Sequence, residues 1–259
     1  MKRFTKIALA ASIMTMTASS FAANTTSSDI SPAERAKIET VVHEYLIKNP
    51  QVLVEVMQIL QRKQVDQAEQ TVKQTQQIAA SFANALFHQT NDPIVGNPNG
   101  KVTVVEFFDY QCPHCVEMAP IMGAIIKANP DVKVVYKEFP IRGPLSEFAA
   151  RAALAANMQG KYDAFSHALL NSNAPLTEDS IMAMAKASGL DVDKLKKDMD
   201  SPAVKKQLKD NIKLAQDLKL FGTPALFVGK TSAIGKDPIS YLPGRMEQNQ
   251  LQDSINKVK

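Results

Sequence analysis

Cys112 and Cys115 are the only two cysteines in a chain of 259 residues, and they stand two residues apart in Cys112-Pro113-His114-Cys115. In a helical stretch that spacing is one turn, close enough for a disulfide to form and to open again. If Cys112 opens a helix, unpaired backbone N–H groups and the positive end of the helix dipole favour its anion. It then ionises below an ordinary thiol. Pro113 falls in the first turn, where its missing N–H costs nothing. A protonated His114 adds a second favourable charge for the thiolate. Cys115, one turn on, is expected to be the less exposed thiol. The pair supplies a nucleophile and a partner that resolves what the nucleophile attaches to.

Other uses of two cysteines fit less well. A structural zinc site needs four ligands, and the remaining His43, His88 and His167 show no paired spacing. Attached haem needs a histidine directly after Cys115, where Val116 stands. An inert bridge over so short a loop stabilises little in the chain-entropy model. Thiol–disulfide exchange with no bound cofactor and no metal is the reading that uses both sulfurs.

The elements around the pair are set up to position it. Val102–Phe108 reads as a strand buried on both faces and stops at Asp109-Tyr110-Gln111, directly before Cys112. Glu106 interrupts that apolar run. A carboxylate there is costly unless it works or is paired, so its pKa is expected to be raised, for proton transfer with the thiols or for pairing with Lys137 on the next strand. Proton transfer is the favoured reading. The helix runs to about Lys127 and ends at Asn129-Pro130, and Val132–Phe139 is the following strand. Strand, helix and parallel strand form a right-handed βαβ unit. Residues 144–220 have almost no strand signal and read as five helices. Phe221-Gly222-Thr223-Pro224 breaks the block, β character resumes over Ala225–Val228, Ile239–Leu242 reads as an edge strand, and a final helix follows from Met246.

The rest of the chain divides at Thr90–Gly100, a stretch rich in proline and glycine. Residues 1–22 have a basic start, an apolar stretch from Ile7 to Met16, and the small residues Ser20 and Ala22 at the positions a signal peptidase reads. Cleavage is expected near Ala22, leaving an exported chain with a net charge of about +1 against +4 for the whole sequence. No basic stripe is interleaved with aromatics, so nucleic acid is not a partner. Within residues 23–90, Ser31-Pro32-Ala33-Glu34 is a capping box. Two apolar stripes follow, Ile38, Val41, Val42, Tyr45, Leu46 and then Leu53, Val56, Met57, Leu60. Short helices of this kind need a partner, and residues 31–60 are expected to form an oligomerisation module. A Gln-rich helix would hold that module away from the rest. A weak seam through Val65, Ala68, Val72, Thr75, Ala79, Phe82 and Leu86 continues the helical period.

Glu106 six residues before Cys112, the CPHC centre, the helical block before a Thr-Pro, and the closing hairpin with its helix together resemble a thioredoxin-fold, DsbA-like disulfide oxidoreductase. The resemblance covers residues 91–259. Residues 31–58 resemble, more loosely, the amino-terminal segment of oligomeric members of that group, of the suppressor-of-copper-sensitivity protein C type. The implied fold is α/β: a thioredoxin-like fold with a helical insertion, preceded by an N-terminal helical oligomerisation segment. The resemblance implies that Cys112 is the nucleophile and Cys115 the resolving thiol. Thr223-Pro224 would be a cis-proline beside the disulfide that presents backbone to a client, and Glu106 a buried acid that helps move the proton of Cys115. It also implies a periplasmic or cell-envelope location, exported clients with cysteines, a membrane partner that recycles the pair, and a dimer or trimer. CPHC resembles oxidising centres, whereas threonine before the proline resembles isomerases. A non-catalytic oligomeric envelope chaperone or structural protein is the alternative from another class.

Overall fold

The structure, a computed structural model, describes residues 30–172 and 174–259. The leader read in residues 1–22, with the Thr/Ser/Asn-rich start after it, lies outside the described residues. Contacts divide the chain into two compact units, one ending at Leu60 and one spanning Gln61–Lys259.

In the first unit, helix α1 (Pro32–Lys48) starts as its sequence dictates. Ser31 accepts from the Glu34 N–H at 3.3 Å, Glu34 returns the bond to the Ser31 N–H at 3.0 Å, and Pro32 takes the first helical position. Asn49 closes the helix through its N–H to the Tyr45 carbonyl. Helix α2 then runs unbroken from Gln51 to Ile78. No residue of α1 is buried, and Val41, Val42, Tyr45, Leu53, Met57 and Leu60 are all exposed.

The second unit is built on one five-stranded sheet. Its strands are β1 (Ile94–Gly96), β2 (Val102–Phe108), β3 (Val132–Glu138), β4 (Ala225–Lys230) and β5 (Ser240–Pro243), in the order β1-β3-β2-β4-β5. β2 and β3 are parallel, and the other pairings are antiparallel. Helix α4 (Pro113–Ala128) makes the crossover between β2 and β3. α5 (Pro144–Asn157), α6 (Tyr162–Leu170), α7 (Glu178–Ala187), α8 (Val192–Met199) and α9 (Pro202–Asp217) form the helical insertion, and α10 (Gln248–Val258) closes the fold. This is the α/β arrangement expected. Strand β1 is an addition: it is three residues long and sits among the prolines and glycines that mark a loop in the sequence.

Every residue of β2 is buried, and alternate residues face different cores. Val102 and Val104 pack with Met118, Met122 and Ile125 of α4 and with Leu251 and Ile255 of α10. Val105 and Phe107 pack on the opposite face with Leu86, Phe87, Leu214 and Leu218.

That second face changes the reading of residues 61–90. The later part of the seam predicted as a weak heptad is covered by its own chain: Thr75, Ala79 and Leu86 are buried, Leu86 in the short helix α3 (Ala83–Phe87), whereas Val65 is exposed. Thr75 donates to the Leu218 carbonyl at 2.8 Å, and the Gln76 amide bridges Ile239 and Tyr241, pairing part of the edge strand β5. The compact unit therefore begins well before the Pro/Gly-rich stretch. Small seam residues, which weaken a coiled coil, let this helix lie close against α9 and the sheet.

Lys137 does not take up the alternative role as partner of Glu106. Register pairs Lys137 with Phe107 and Glu106 with Tyr136, so Lys137 and Glu106 point to opposite faces of the sheet. Lys137 is 1% exposed and forms a buried ion pair with Asp92 while donating to the Ala85 carbonyl at 2.9 Å. Lys133 donates likewise to the Phe87 carbonyl at 3.0 Å. Two lysines on one face of β3 thus satisfy the last carbonyls of α3. Glu106 is left without Lys137 as a partner.

Candidate active site

The site forms where β2 ends. Asp109 to Gln111 turn the chain, the Cys112 N–H bonds to the Asp109 carbonyl at 3.0 Å, and Cys112 is the N-cap of α4 with Pro113 behind it. Strand β4 runs antiparallel to β2 with Ala225 opposite Phe107. The two residues before Ala225 therefore land beside the end of β2. They are Thr223 and Pro224, joined by a cis peptide bond. The Cys112 thiol donates to the Thr223 carbonyl at 3.2 Å. Sheet register alone thus brings together two segments more than a hundred residues apart.

Each thiol is 1% exposed, because the Thr223 segment and Arg142 lie against Cys112, and Cys115 lies the deeper of the two. The difference lies in depth and in electrostatics. Burial pushes the Cys112 thiol up, but the combined hydrogen bonds to its sulfur outweigh that effect. They involve Thr223, the Cys115 N–H and thiol, and the His114 N–H, and the net result is a lowered pKa. Burial pushes Cys115 strongly up, and the neighbouring Glu106 carboxylate adds to it. Glu106 itself, 3% exposed, is pushed up to about 8 by burial and then by the charge on Cys112. Among the described residues it has no hydrogen-bonding or ionic partner. One low thiol, one high thiol and one acid that titrates near neutrality share a single space, as proton shuffling between two sulfurs requires.

His114 plays a smaller part than its type suggests. Its ring is exposed and lies 3.4 Å from Glu117 Oε2, one turn along the surface, so its N–H rather than its imidazole meets the sulfur. Pro113 is exposed at the first helical position.

Two residues that the sequence reading passed over stand close to Cys112. Arg142 Nη2 lies 4.0 Å from the Cys112 sulfur. Asp109, 1% exposed, accepts the N–H of Ile141 at 2.7 Å and of Arg142 at 3.0 Å on one oxygen. Its other oxygen takes the Gln111 N–H and the Ser146 hydroxyl, both at 2.7 Å. A polar residue ending a buried apolar strand was a usable signal for Asp109, whereas nothing local singles out Arg142. Farther in, Glu138 Oε1 accepts from the Tyr110 hydroxyl at 3.0 Å and the Tyr162 hydroxyl at 2.8 Å, tying the turn before Cys112 to α6. Burial drives the Glu138 carboxyl pKa well up. Among the described residues no three His, Cys, Asp or Glu side chains are grouped to hold a metal ion, and no helix is long and apolar enough to cross a membrane.

Residues 103–254 match the family described as DSBA-like thioredoxin domain, and residues 34–67 match the copper resistance protein ScsC N-terminal domain. The crystal structure of a thioredoxin-like oxidoreductase from Silicibacter pomeroyi DSS-3 is 42% identical with a TM-score of 0.62, over 67% of this chain and 95% of that one. BcfH from Salmonella enterica Typhimurium is 33% identical with a TM-score of 0.64, over 87% of this chain and 96% of that one. Among curated proteins, the Na(+)/H(+) antiporter NhaA 1 of Mycolicibacterium gilvum is 31% identical over 145 residues, 53% of this chain and 23% of the antiporter. The chain spans less than a quarter of the length of the first curated relatives it matches.

The raised Glu106 pKa has a consequence for stability. The folded state holds the Glu106 proton up to about 8, whereas an unfolded glutamate releases it near 4.5. The folded form therefore binds more protons between those values, and stability falls as pH rises through that window, by on the order of a few kcal/mol. Glu106→Gln is expected to remove this component. Urea unfolding across pH 5 to 9, with the variant's stability flatter than the wild type's, checks it.

Proposed function

The chain belongs to the DSBA-like thioredoxin domain family, and on that premise we propose that it is a thiol–disulfide oxidoreductase acting on cysteines of exported proteins through Cys112 and Cys115. The observation that carries this reading is the pairing of Cys112 at the start of α4 with the Thr223 carbonyl of a cis Thr-Pro, above a buried second thiol. A helix N-terminus stabilises the anion of the attacking sulfur, and the Thr223 backbone, just ahead of β4, offers an extended client segment a place to pair in strand fashion.

Acting as an oxidase, the oxidised protein receives a client thiolate on the Cys112 sulfur. The Cys112–Cys115 bond breaks, and Cys115 leaves with its electron pair and takes up a proton. Glu106, ionising near neutrality below the pair, holds or gives that proton. A second client thiolate then attacks the client sulfur of the mixed disulfide, and Cys112 leaves as thiolate. The client has lost two electrons and the protein has gained them. As an isomerase, reduced Cys112 attacks a client disulfide to form a mixed disulfide and free one client thiolate, and another client thiolate then attacks the client sulfur, forming a new client disulfide and releasing Cys112 as thiolate with no net electron transfer. A membrane redox partner returns the pair to its working state.

The N-terminal residues support a location and an assembly. The leader-like composition of residues 1–22 supports export to the periplasm or cell envelope, an oxidising compartment where such a pair can cycle. Exposed apolar residues along α1 and the start of α2, in a segment matching the ScsC N-terminal domain, support a homo-oligomer through residues 31–60. The same stripe is what a non-catalytic chaperone would use on unfolded chains, so Cys112→Ala separates the two: chaperone action survives it, exchange does not.

Cys115→Ala is expected to accumulate client proteins joined to Cys112, seen as reductant-sensitive bands on non-reducing gels, and a further Cys112→Ala change is expected to remove them. No trapped adducts in the single variant would contradict the assignment. Val42→Glu with Met57→Glu should lower the mass found by sedimentation equilibrium to that of one chain. An unchanged mass would remove the stripe from the interface.

A further inference from the structure

We propose that Arg142 is a working part of the thiol site: docked against Cys112 by Asp109, its guanidinium stabilises the Cys112 thiolate and makes the disulfide a stronger oxidant. The inference rests on Cys112 and Cys115 being the exchanging pair.

Arg142 reaches the sulfur because its backbone is fixed, although its side chain is exposed. It lies in the loop between β3 and α5, and one oxygen of Asp109 receives the N–H groups of both Ile141 and Arg142. The other oxygen receives the Gln111 N–H, one residue before Cys112, and Ser146 Oγ, which in turn accepts from the Gln111 side chain at 2.8 Å. A single buried carboxylate thus joins the turn that delivers Cys112 to the loop that delivers Arg142. Gly143 follows with φ +100°, a backbone conformation suited to glycine, and lets the chain leave the loop directly into α5.

The groups facing the Cys112 sulfur come from every element around it. They are Glu106 from β2, Cys115 and His114 from α4, Thr223 from the segment before β4, and Arg142 from its loop. Of these, Arg142 is the one permanent cation, and it has no ion-pair partner among the described residues. His114 leans instead on Glu117.

The charge acts at a defined step. When the second client thiolate attacks the mixed disulfide, the bond to Cys112 breaks and the electron pair goes to the Cys112 sulfur, 4.0 Å from the guanidinium. One client proton has gone to Cys115 and the other to solvent. A better stabilised leaving thiolate speeds this release and favours the reduced protein. Seen from the client, the protein is then the stronger oxidant.

Arg142→Met and Arg142→Lys test the inference, with the ultraviolet absorbance of the Cys112 thiolate followed against pH and the thiol–disulfide equilibrium measured in glutathione buffers. Arg142→Met is expected to raise the midpoint of thiolate formation by about one pH unit. The equilibrium constant with glutathione should change about tenfold, or ~30 mV for a two-electron couple. Arg142→Lys should recover part of both. Added salt should raise the wild-type midpoint and leave that of Arg142→Met almost in place, because an exposed charge is screened. A midpoint unmoved in Arg142→Met, or moved equally by both substitutions with no salt dependence, would overturn the role. A wild-type protein that forms no Cys112–Cys115 disulfide in the same buffers would overturn the reading of the pair itself, and the inference with it.

Discussion

A buried thiolate has to be solvated by the protein or it does not form. Cys112 and Cys115 both have almost no exposed surface, Cys115 lies the deeper, and burial by itself would keep both protonated. What separates them is the depth of Cys115 together with the direction of nearby dipoles. At the N-cap of α4, Cys112 meets the free N–H groups of the first turn, whereas Cys115 sits one turn inside, with those groups already spent and a carboxyl nearby. Chain geometry at a helix start thus creates an inequality between two identical side chains. Directional exchange through the pair depends on that inequality.

The rest of the fold holds the helix start in register with its surroundings. β2 ends in a turn that hands the chain to α4, and antiparallel β4 returns the Thr223–Pro224 segment to the same edge. Asp109 ties that turn to the loop after β3, and buried Glu138 with Tyr110 and Tyr162 ties it to the helical insertion. Each tie uses a buried polar group, costly to place and specific once satisfied. The site is therefore rigid on the side of the scaffold, and the groups that must titrate, Glu106 and the two thiols, lie between the ties.

Much of this could be read from residue order. The apolar run broken by Glu106, the CxxC at a helix start, the Ser-Pro-Ala-Glu cap and the helical block before Thr-Pro each follow from local pattern, and all occupy the elements they predict. What escaped is tertiary. Lys137 turned out to face Asp92 because register, which the sequence does not print, puts it on the opposite face from Glu106. Arg142 is an ordinary loop arginine until Asp109 fixes its backbone. The small residues of the 65–86 seam suit a coiled coil poorly and a close approach to the sheet well, a choice only the packed structure makes. The similar exposure of the two cysteines was hidden for the same reason, since the segments that cover Cys112 come from elsewhere in the chain.

The most direct test of this account is the pH dependence of alkylation of the reduced protein, read at each cysteine by mass spectrometry of the peptides. The account predicts that Cys112 is modified at neutral and mildly acidic pH, while Cys115 stays unmodified well into the alkaline range. Equal rates at the two sulfurs, or faster labelling of Cys115, would contradict it.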